Sequence, residues 1–303
     1  MTTTMVTGGL GYVGRHLVAR LAERGERVVS YNRDYAEGGE ENVTYVQGEL
    51  YDLPRFVDTI GRYEVGRVIH TAAMSHPDLS IDLPITTFTA NVDGTVHVFE
   101  AARMSGVRRI VNFSSETAYG HVEAEPVTED APLHPTTPYG VTKVATELLG
   151  QVYSDLYGLD VISLRISEVY GPGNRMPQFL REMINSALQG EPYRLEKGGD
   201  HRFQFIRVED VARAAILAAD AERTSRRVYN ITGGSQVTLA QAAEIVRGEI
   251  READVEIGPG HLHLDRQGPY DITAAGRDLG YRPEWSVECG IHDYVDWLRD
   301  HPY

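Results

Sequence analysis

A tyrosine and a lysine four residues apart give this sequence its most specific chemistry. Tyr139 and Lys143 lie at the start of a predicted helix, directly after the turn-forming run of residues 135–138. Residues four apart share one face of a helix, so the two side chains are neighbours. A nearby ammonium group stabilises a phenolate, and such a pair can exchange a proton with an alcohol or a ketone.

Two serines stand where a partner for this pair is expected. Ser114 and Ser115 follow the apolar run of residues 110–113, a predicted strand. In a parallel α/β sheet the reactive groups collect at the carboxyl ends of the strands. A serine hydroxyl there can hydrogen-bond the same substrate oxygen as Tyr139.

Three glycines near the amino terminus, Gly8, Gly11 and Gly14, predict a dinucleotide site. They follow a strand-like run at residues 3–6 and precede an amphipathic segment at residues 15–22. Gly8 permits a tight turn, Gly11 lets a pyrophosphate approach the backbone, and Gly14 lets the helix pack closely. The amides and the dipole at the start of the helix then attract the anion.

The elements that must position these groups alternate between strand and helix through the first half of the chain. Such alternation predicts a Rossmann-type, doubly wound parallel sheet of the α/β class. The predicted strands are residues 3–6, 27–31, 43–47, 67–70, 108–113 and 160–165, and the predicted helices are residues 53–62, 85–105 and 139–157.

The pattern changes after about residue 170. Glycine-rich turns and one strand-like run, residues 203–208, separate four predicted helices at residues 177–189, 209–219, 239–251 and 287–299. We therefore predict a dinucleotide-binding domain over residues 1–166 and a smaller α+β substrate lobe over residues 167–303. The boundary is not sharp, and segments of the second part can return to the Rossmann sheet.

Composition narrows the choice of partners and compartment. The net charge of −15 makes nucleic acid and anionic membranes poor partners. The single cysteine, Cys289, cannot form an intrachain disulfide, and no run approaches the roughly 20 apolar residues of a membrane helix. The amino terminus enters the first strand directly, so we expect a cytoplasmic enzyme. No metal site is expected, because nothing else converges on His261, His263 and Asp265.

Taken together, these segments resemble the extended short-chain dehydrogenase/reductases of the NAD(P)-dependent epimerase/dehydratase type, which include UDP-glucose 4-epimerase-like enzymes. The resemblance covers almost the whole chain. It is carried by residues 8–14 (GGLGYVG), 48–52 (GELYD), 70–73 (HTAA), 91–95 (NVDGT), 114–120 (SSETAYG), 138–143 (PYGVTK), 169–173 (VYGPG), 208–212 (VEDVA) and 279–283 (LGYRP).

The resemblance implies a role for each site residue. Tyr139 removes a hydroxyl proton, Lys143 lowers the pKa of Tyr139 and holds the nicotinamide ribose, and Ser115 donates to the forming carbonyl oxygen. The implied cofactor-binding residues are Gly8, Gly11, Tyr12, Val13, Gly14, Asn32, Arg33, Glu49, Leu50, Thr71, Ala72, Ala73, Asn91, Ser114, Tyr139 and Lys143. The implied substrate-binding residues are Ser115, Glu116, Tyr139, Glu168, Arg202 and Arg266.

The choice between NAD and NADP depends on the end of the second strand. Members that use NAD usually carry an acidic residue there, for the ribose 2′-hydroxyl. This sequence has Asn32 and Arg33, which would tolerate and bind a 2′-phosphate, so NADP is slightly favoured. Asp34 follows directly and leaves NAD open.

The substrate side departs further from the family pattern. Glu168 stands where relatives place an asparagine that contacts a diphosphate, and Phe203 stands where they place an arginine. A nucleotide diphosphate is therefore in doubt, and a free sugar or sugar acid becomes an alternative. Glu116-Thr117 replaces the Asp-Glu pair of sugar 4,6-dehydratases, which argues against dehydration.

These observations predict an oxidoreductase that transfers hydride at a secondary alcohol or ketone of a sugar-like substrate. An epimerase, including a nucleotide-sugar 4-epimerase, and a net dehydrogenase or reductase of a polar hydroxy or keto compound both remain open. A non-enzymatic NAD(P)-binding protein is disfavoured, because Ser115, Tyr139 and Lys143 are all present. The long apolar segments at residues 85–105 and 139–157 predict a homodimer, since the corresponding helices pair into a four-helix bundle in related enzymes.

Overall fold

The fold contains thirteen strands in the part of the chain that the computed structural model describes, residues 2–38 and 41–302. Short runs rich in β-branched and aromatic residues form most of them. In chain order they are β1 (Thr3–Thr7), β2 (Val28–Asn32), β3 (Val43–Gln47), β4 (Val65–His70), β5 (Arg109–Ser115), β6 (Asp160–Ile166), β7 (Glu168–Tyr170), β8 (Tyr193–Leu195), β9 (Arg202–Phe203), β10 (Phe205–Arg207), β11 (Val228–Ile231), β12 (Val237–Thr238) and β13 (Val255–Ile257).

Seven of these strands form the central sheet, in the order β11-β6-β5-β4-β1-β2-β3. Every neighbouring pair in it is parallel. The reversal of order on either side of β1 is that of a doubly wound sheet, so the predicted fold class is confirmed. The seventh strand, β11, was not among the predicted strands, and it comes from a segment that returns from beyond residue 166.

The helices supply the layers on both sides of the sheet. In chain order they are α1 (Tyr12–Glu23), α2 (Leu53–Arg62), α3 (Pro77–Asp82), α4 (Pro84–Phe88), α5 (Gly94–Met104), α6 (Pro138–Tyr157), α7 (Phe179–Gln189), α8 (Val208–Asp220), α9 (Leu239–Glu249), α10 (Thr273–Leu279) and α11 (Val287–Asp300). A π-helical turn (Thr89–Asp93) joins α4 to α5, and a 3₁₀ turn (Glu116–Ala118) follows β5. The helix predicted over residues 85–105 is therefore α4, the π-helical turn and α5 in succession.

The two faces of the sheet bury separate cores. In the first core, Val6 and Val111 face the layer formed by α1 and α8. In the second core, Met5 and Ile110 face the layer formed by α2, α5 and α6. This alternation follows from the two-residue period of a strand. It places the carboxyl ends of β1, β4 and β5 side by side at one edge.

A third core lies in the second part of the chain. It packs α7, α9 and α11 around aromatic side chains such as Phe203 and Phe205, and three two-stranded pairs, β7-β10, β8-β13 and β9-β12, accompany it. Helices α8 and α10 pack instead with the first core, so the two parts of the chain interleave. The division at residue 166 stays a prediction. Among the described residues, we find no helix of the length and apolarity needed to cross a membrane.

Candidate active site

The glycine turn between β1 and α1 forms the first wall of the site. Gly8 has a φ of +71°, which favours glycine. A Cβ on Gly14 would lie 2.0 Å from the carbonyl oxygen of Gly8, and a Cβ on Gly11 would lie 3.0 Å from the same atom. The turn is therefore closed by backbone-to-backbone approach that side chains would block. It presents the first amides of α1, the arrangement that binds a pyrophosphate.

Two further contacts hold this turn in place. The Tyr12 hydroxyl donates to the carbonyl oxygen of Gly171 at 3.3 Å, which ties α1 to the segment that leads into the lobe. The buried Asn32 side chain accepts from the Leu10 amide at 2.8 Å and donates to the Ser30 carbonyl oxygen at 3.0 Å. Its amide therefore braces the turn from the end of β2. Val13 packs against the first core.

The ends of β2 and β3 place the residues predicted to meet the adenosine half of a cofactor. Arg33 is three-quarters exposed, and its Nε lies 3.8 Å from a carboxylate oxygen of Asp34. The Glu49 carbonyl oxygen accepts from the Tyr31 hydroxyl at 3.1 Å. Leu50 lies against Gly94, where an added Cβ would come within 3.0 Å of its Cδ1.

The end of β4 forms the floor between the glycine turn and the catalytic helix. The Thr71 hydroxyl donates to the Thr7 carbonyl oxygen at 2.8 Å, and Ala72 lies directly over Gly8. Ala73 continues this segment. Asn91, in the π-helical turn, accepts from the Met74 amide at 2.8 Å and donates to the Thr142 hydroxyl at 3.0 Å. Asn91 thus fixes the loop after β4 against α6.

Buried His70 links β1 to α5, and no chemical role was predicted for it. Its Nδ1 lies 2.7 Å from the Thr7 hydroxyl and its Nε2 lies 3.0 Å from the Thr95 hydroxyl. Burial lowers the pKa of His70 to about 3, and the charge of Lys143 acts in the same direction. His70 is therefore a neutral hydrogen-bonding bridge at physiological pH.

The two serines at the end of β5 point to different neighbours. The Ser114 hydroxyl donates to Glu147 on α6, within a buried pair in which the Arg165 guanidinium lies 2.7 Å from the Glu147 carboxylate. Ser115 accepts from the Thr117 hydroxyl at 3.0 Å and lies beside the Tyr139 phenol, whose pKa it lowers. Ser115 is therefore the serine that reaches the site.

Tyr139 and Lys143 occupy the first turns of α6, whose start is capped by the Thr137 hydroxyl accepting from the Gly140 amide at 3.1 Å. Lys143 Nζ lies 5.3 Å from the centre of the Tyr139 ring and donates to the Phe113 carbonyl oxygen at 2.6 Å. Burial lowers the pKa of Lys143 to about 8, opposed by the charge of Glu147.

Burial also raises the pKa of the Tyr139 phenol. The neighbouring Ser115 hydroxyl opposes this shift, and the carboxyl groups of Glu116 and Glu168 add to it. The protein alone therefore keeps the phenol protonated, and additional positive charge at the site is needed to turn Tyr139 into a base.

Glu116 and Glu168 form a carboxyl pair beside Tyr139. Burial raises the pKa of each, and the charge of Glu168 raises the pKa of Glu116 further. The Gln178 amide donates to Glu168 at 2.6 Å, and the buried Tyr270 phenol lies beside Glu116. Gln178 and Tyr270 were not predicted as site residues, because both come from distant segments.

The two predicted substrate arginines lie against the loop after β5. An Arg202 nitrogen lies 3.4 Å from Glu125, and an Arg266 nitrogen lies 3.6 Å from Glu123. Both side chains are about half exposed. Phe203 is buried and stacks on Phe205 in the third core, so the position where relatives have an arginine carries no cation here.

Histidines near this loop do not assemble a metal site in the described part of the chain, where no group of three or more potential ligands converges. His201 is buried near His261, at 6.2 Å between ring centres, and burial lowers the pKa of His201 to about 4. The glycine turn, by contrast, fits a dinucleotide. A Cβ on Gly11 or Gly14 would crowd the Gly8 carbonyl oxygen, so the turn needs glycine at these positions.

A parallel doubly wound sheet with this glycine turn and a serine, tyrosine and lysine at its edge defines an enzyme of the extended short-chain dehydrogenase/reductase class. Residues 4–232 match the profile of the NAD dependent epimerase/dehydratase family. The chain belongs to this family, as its motifs predicted.

Characterised relatives span almost the full chain. It is 30% identical over 312 residues to a UDP-glucose 4-epimerase of Mycolicibacterium smegmatis, with 98% of both chains covered. It is 31% identical over 317 residues to a dTDP-glucose 4,6-dehydratase of Streptomyces antibioticus, covering 98% of this chain and 92% of the relative.

Solved structures with the same fold hold nucleotide sugars. A UDP-glucose 4-epimerase of Thermotoga maritima with UDP-glucose is 26% identical, with a TM-score of 0.89 and 99% of both chains covered. MoeE5 in complex with UDP-glucuronic acid and NAD is 28% identical, with a TM-score of 0.89, covering 98% of this chain and 99% of that one.

Proposed function

We propose that this enzyme is a nucleoside-diphosphate-sugar 4-epimerase that moves hydride reversibly at a secondary alcohol. The observation that carries the proposal is the placement of Ser115 beside the Tyr139 phenol, with Lys143 Nζ 5.3 Å from the Tyr139 ring centre, at the edge that also holds the glycine turn. The similarity to a UDP-glucose 4-epimerase over nearly the full chain supports it.

A nicotinamide dinucleotide, held by Gly8, Gly11 and Gly14, would supply the hydride acceptor and donor. Tyr139 takes the proton of the substrate hydroxyl as the alcohol is oxidised, and returns it when the ketone is reduced on its other face. Ser115 donates a hydrogen bond to the same oxygen in both directions. Lys143 would hold the nicotinamide ribose with its ammonium group, and its charge together with that of the oxidised nicotinamide would favour the phenolate form of Tyr139.

We propose NADP as the preferred form of the cofactor. Residue 32 at the end of β2 is a neutral asparagine, so no carboxylate at that position repels a 2′-phosphate. Its side-chain amide is held by hydrogen bonds with Leu10 and Ser30. Arg33 is exposed beside it, and the neighbouring carboxylate of Asp34 lies next to the Arg33 guanidinium. The alternative is NAD, the cofactor of MoeE5.

The substrate phosphates are proposed to bind near Arg202 and Arg266. Both arginines face carboxylates of the loop after β5, so a diphosphate must displace Glu125 and Glu123 from them. This competition, together with the buried Phe203, favours a second candidate function: net oxidation or reduction of a sugar without a nucleotide.

Proton NMR of UDP-glucose or UDP-galactose with the purified enzyme tests the proposal. Interconversion without added cofactor supports a 4-epimerase. Stoichiometric accumulation of reduced cofactor with a free sugar supports the dehydrogenase, and a 4-keto-6-deoxy product would identify a dehydratase.

The Tyr139→Phe variant should lower the rate by about 10²–10⁴, the usual contribution of a positioned acid/base group. Tyr157→Phe, an exposed tyrosine on the same helix, is the matched control and should keep the wild-type rate. A near-normal rate in Tyr139→Phe would refute the assignment.

We also propose a homodimer. Val141, Leu148, Val152 and Leu156 form an apolar stripe on α6 and are between 42% and 69% exposed, with Ile85 of α4 at 80%. A stripe of this kind is typical of an interface. Light scattering at micromolar concentration should give a dimer mass that Leu148→Asp reduces, whereas the exposed Gln151 of α6 tolerates Glu. The cytoplasmic location stays a prediction.

A further inference from the structure

Two acidic side chains come from neighbouring strand ends. The register of the sheet pairs Ser115 of β5 with Ile166 of β6. Glu116 follows Ser115 directly, and Glu168 lies two residues beyond Ile166 at the start of β7. Because neighbouring strands lie about 4.8 Å apart, both carboxyl groups lie at the edge of the sheet that holds Tyr139.

No arginine or lysine among the described residues forms an ion pair with either carboxyl group, whereas Glu26, Glu147 and Asp160 each pair with an arginine. Glu116 is faced by Tyr270, Asp265 and Glu168. Glu168 is faced by Gln178 and His76. The pair therefore adds negative charge to the site whenever it ionises.

This charge acts at the reacting atoms. Both carboxyl groups raise the pKa of Tyr139, so each lies within electrostatic reach of the phenol oxygen that takes the substrate proton. Substituents next to the reacting carbon must then lie near Glu116 or Glu168. A hydroxyl group can donate to a carboxylate, whereas a carboxylate substituent is repelled by it.

We propose that Glu116 and Glu168 select for sugars that carry neutral hydroxyl groups beside the reacting carbon and against sugars that carry a carboxylate there. The inference rests on the proposed function, since it assumes that Tyr139 abstracts the proton of a sugar hydroxyl. It narrows the substrate class to neutral hexoses and excludes uronates.

The expected selectivity is large. Two unit charges about 6 Å apart at an effective dielectric near 20 change an equilibrium constant by roughly a hundredfold. Because the pKa values of both carboxyl groups are raised, the pair gains charge at a higher pH than ordinary glutamates do. Selectivity against uronates should therefore increase with pH.

Calorimetry and turnover with UDP-glucose and UDP-glucuronic acid test the proposal. The wild type should favour UDP-glucose by about a hundredfold, and more strongly at pH 8 than at pH 6. Glu168→Gln and Glu116→Gln should each reduce this ratio at least tenfold. Glu252→Gln, an exposed carboxylate elsewhere on the lobe, is the matched control for net charge and should leave it unchanged.

Equal affinity of the wild type for both sugars, or a ratio that neither variant changes, would overturn the proposal. If neither nucleotide sugar binds, the proposed function fails, and the carboxyl pair is judged by turnover of free glucose and glucuronate with added cofactor. Equal rates with both sugars would then overturn the proposal.

Discussion

Replacing Lys143 by methionine should remove a rise in the stability of the folded state at alkaline pH. The same substitution should abolish activity. Burial lowers the pKa of Lys143 from 10.5 to about 8. At 1.36 kcal/mol for each pKa unit, the folded state loses roughly 3 kcal/mol at neutral pH by holding this charged ammonium. The side chain is only 6% exposed, so solvent screening reduces this figure little.

The sign follows from proton counting. Between pH 8 and 10.5 the unfolded chain keeps the lysine proton while the folded protein has released it, so the stability of the folded state rises with pH. The cost is present in full below pH 8. By pH 9.5 roughly 2 of the 3 kcal/mol should be recovered in the wild type, and none in Lys143→Met.

Urea unfolding of the cofactor-free protein at pH 7 and pH 9.5 measures this difference. For each protein, the free energy of unfolding at pH 7 is subtracted from that at pH 9.5, and the wild-type difference is then compared with that of the variant. Other groups titrate equally in both proteins, so their contributions cancel. Lys197 is the second of only two lysines in the sequence and is exposed, so Lys197→Met is the matched control. Identical pH dependence in wild type and Lys143→Met would refute the reasoning.

Three further perturbations test separate parts of the structure. Gly14→Ala should cost about 1–3 kcal/mol of stability and weaken cofactor binding, as measured by urea unfolding and calorimetry. Gly61→Ala in α2, where an added Cβ meets no other atom, is the control and should stabilise the protein slightly. Arg33→Ala should weaken NADP binding by roughly 1.5–3 kcal/mol and leave NAD nearly unchanged; equal losses would contradict the NADP assignment. His70 should withdraw roughly 4–5 kcal/mol of stability between pH 6.5 and about 3, since only the unfolded chain protonates it there, and an unchanged acid limb in His70→Gln would disprove this.

Most of the Rossmann sheet was predictable, because six of its seven strands are apolar runs bounded by turns. Strand β11 was missed because it has four residues and includes Tyr229 and Asn230, whose side chains bond other segments. The break in the helix at residues 84–104 also escaped prediction. At this break the Asn91 side chain hydrogen-bonds Met74 and Thr142. Helical periodicity does not predict contacts of this kind.

The candidate site divides in the same way. The neighbourhood of Tyr139 and Lys143 followed from helical spacing alone, whereas the roles of Asn32 and Glu168 required the fold. Asn32 braces an amide 22 residues away, and the carboxyl group of Glu168 acts on the Tyr139 phenol, a contact that its place in the family pattern did not indicate. Sequence spacing predicts local geometry but not which distant strand ends meet.

The late arrival of β11 and α8 has a consequence for how the chain folds during synthesis. Until residues 208–231 leave the ribosome, β6 is an open sheet edge and one apolar face of the sheet has only part of its cover. Such pairings between distant segments slow folding and leave nascent chains prone to aggregate. A fragment ending near residue 166 should therefore require a chaperone or precipitate, and the nascent protein should depend on chaperones most while its second half is being translated.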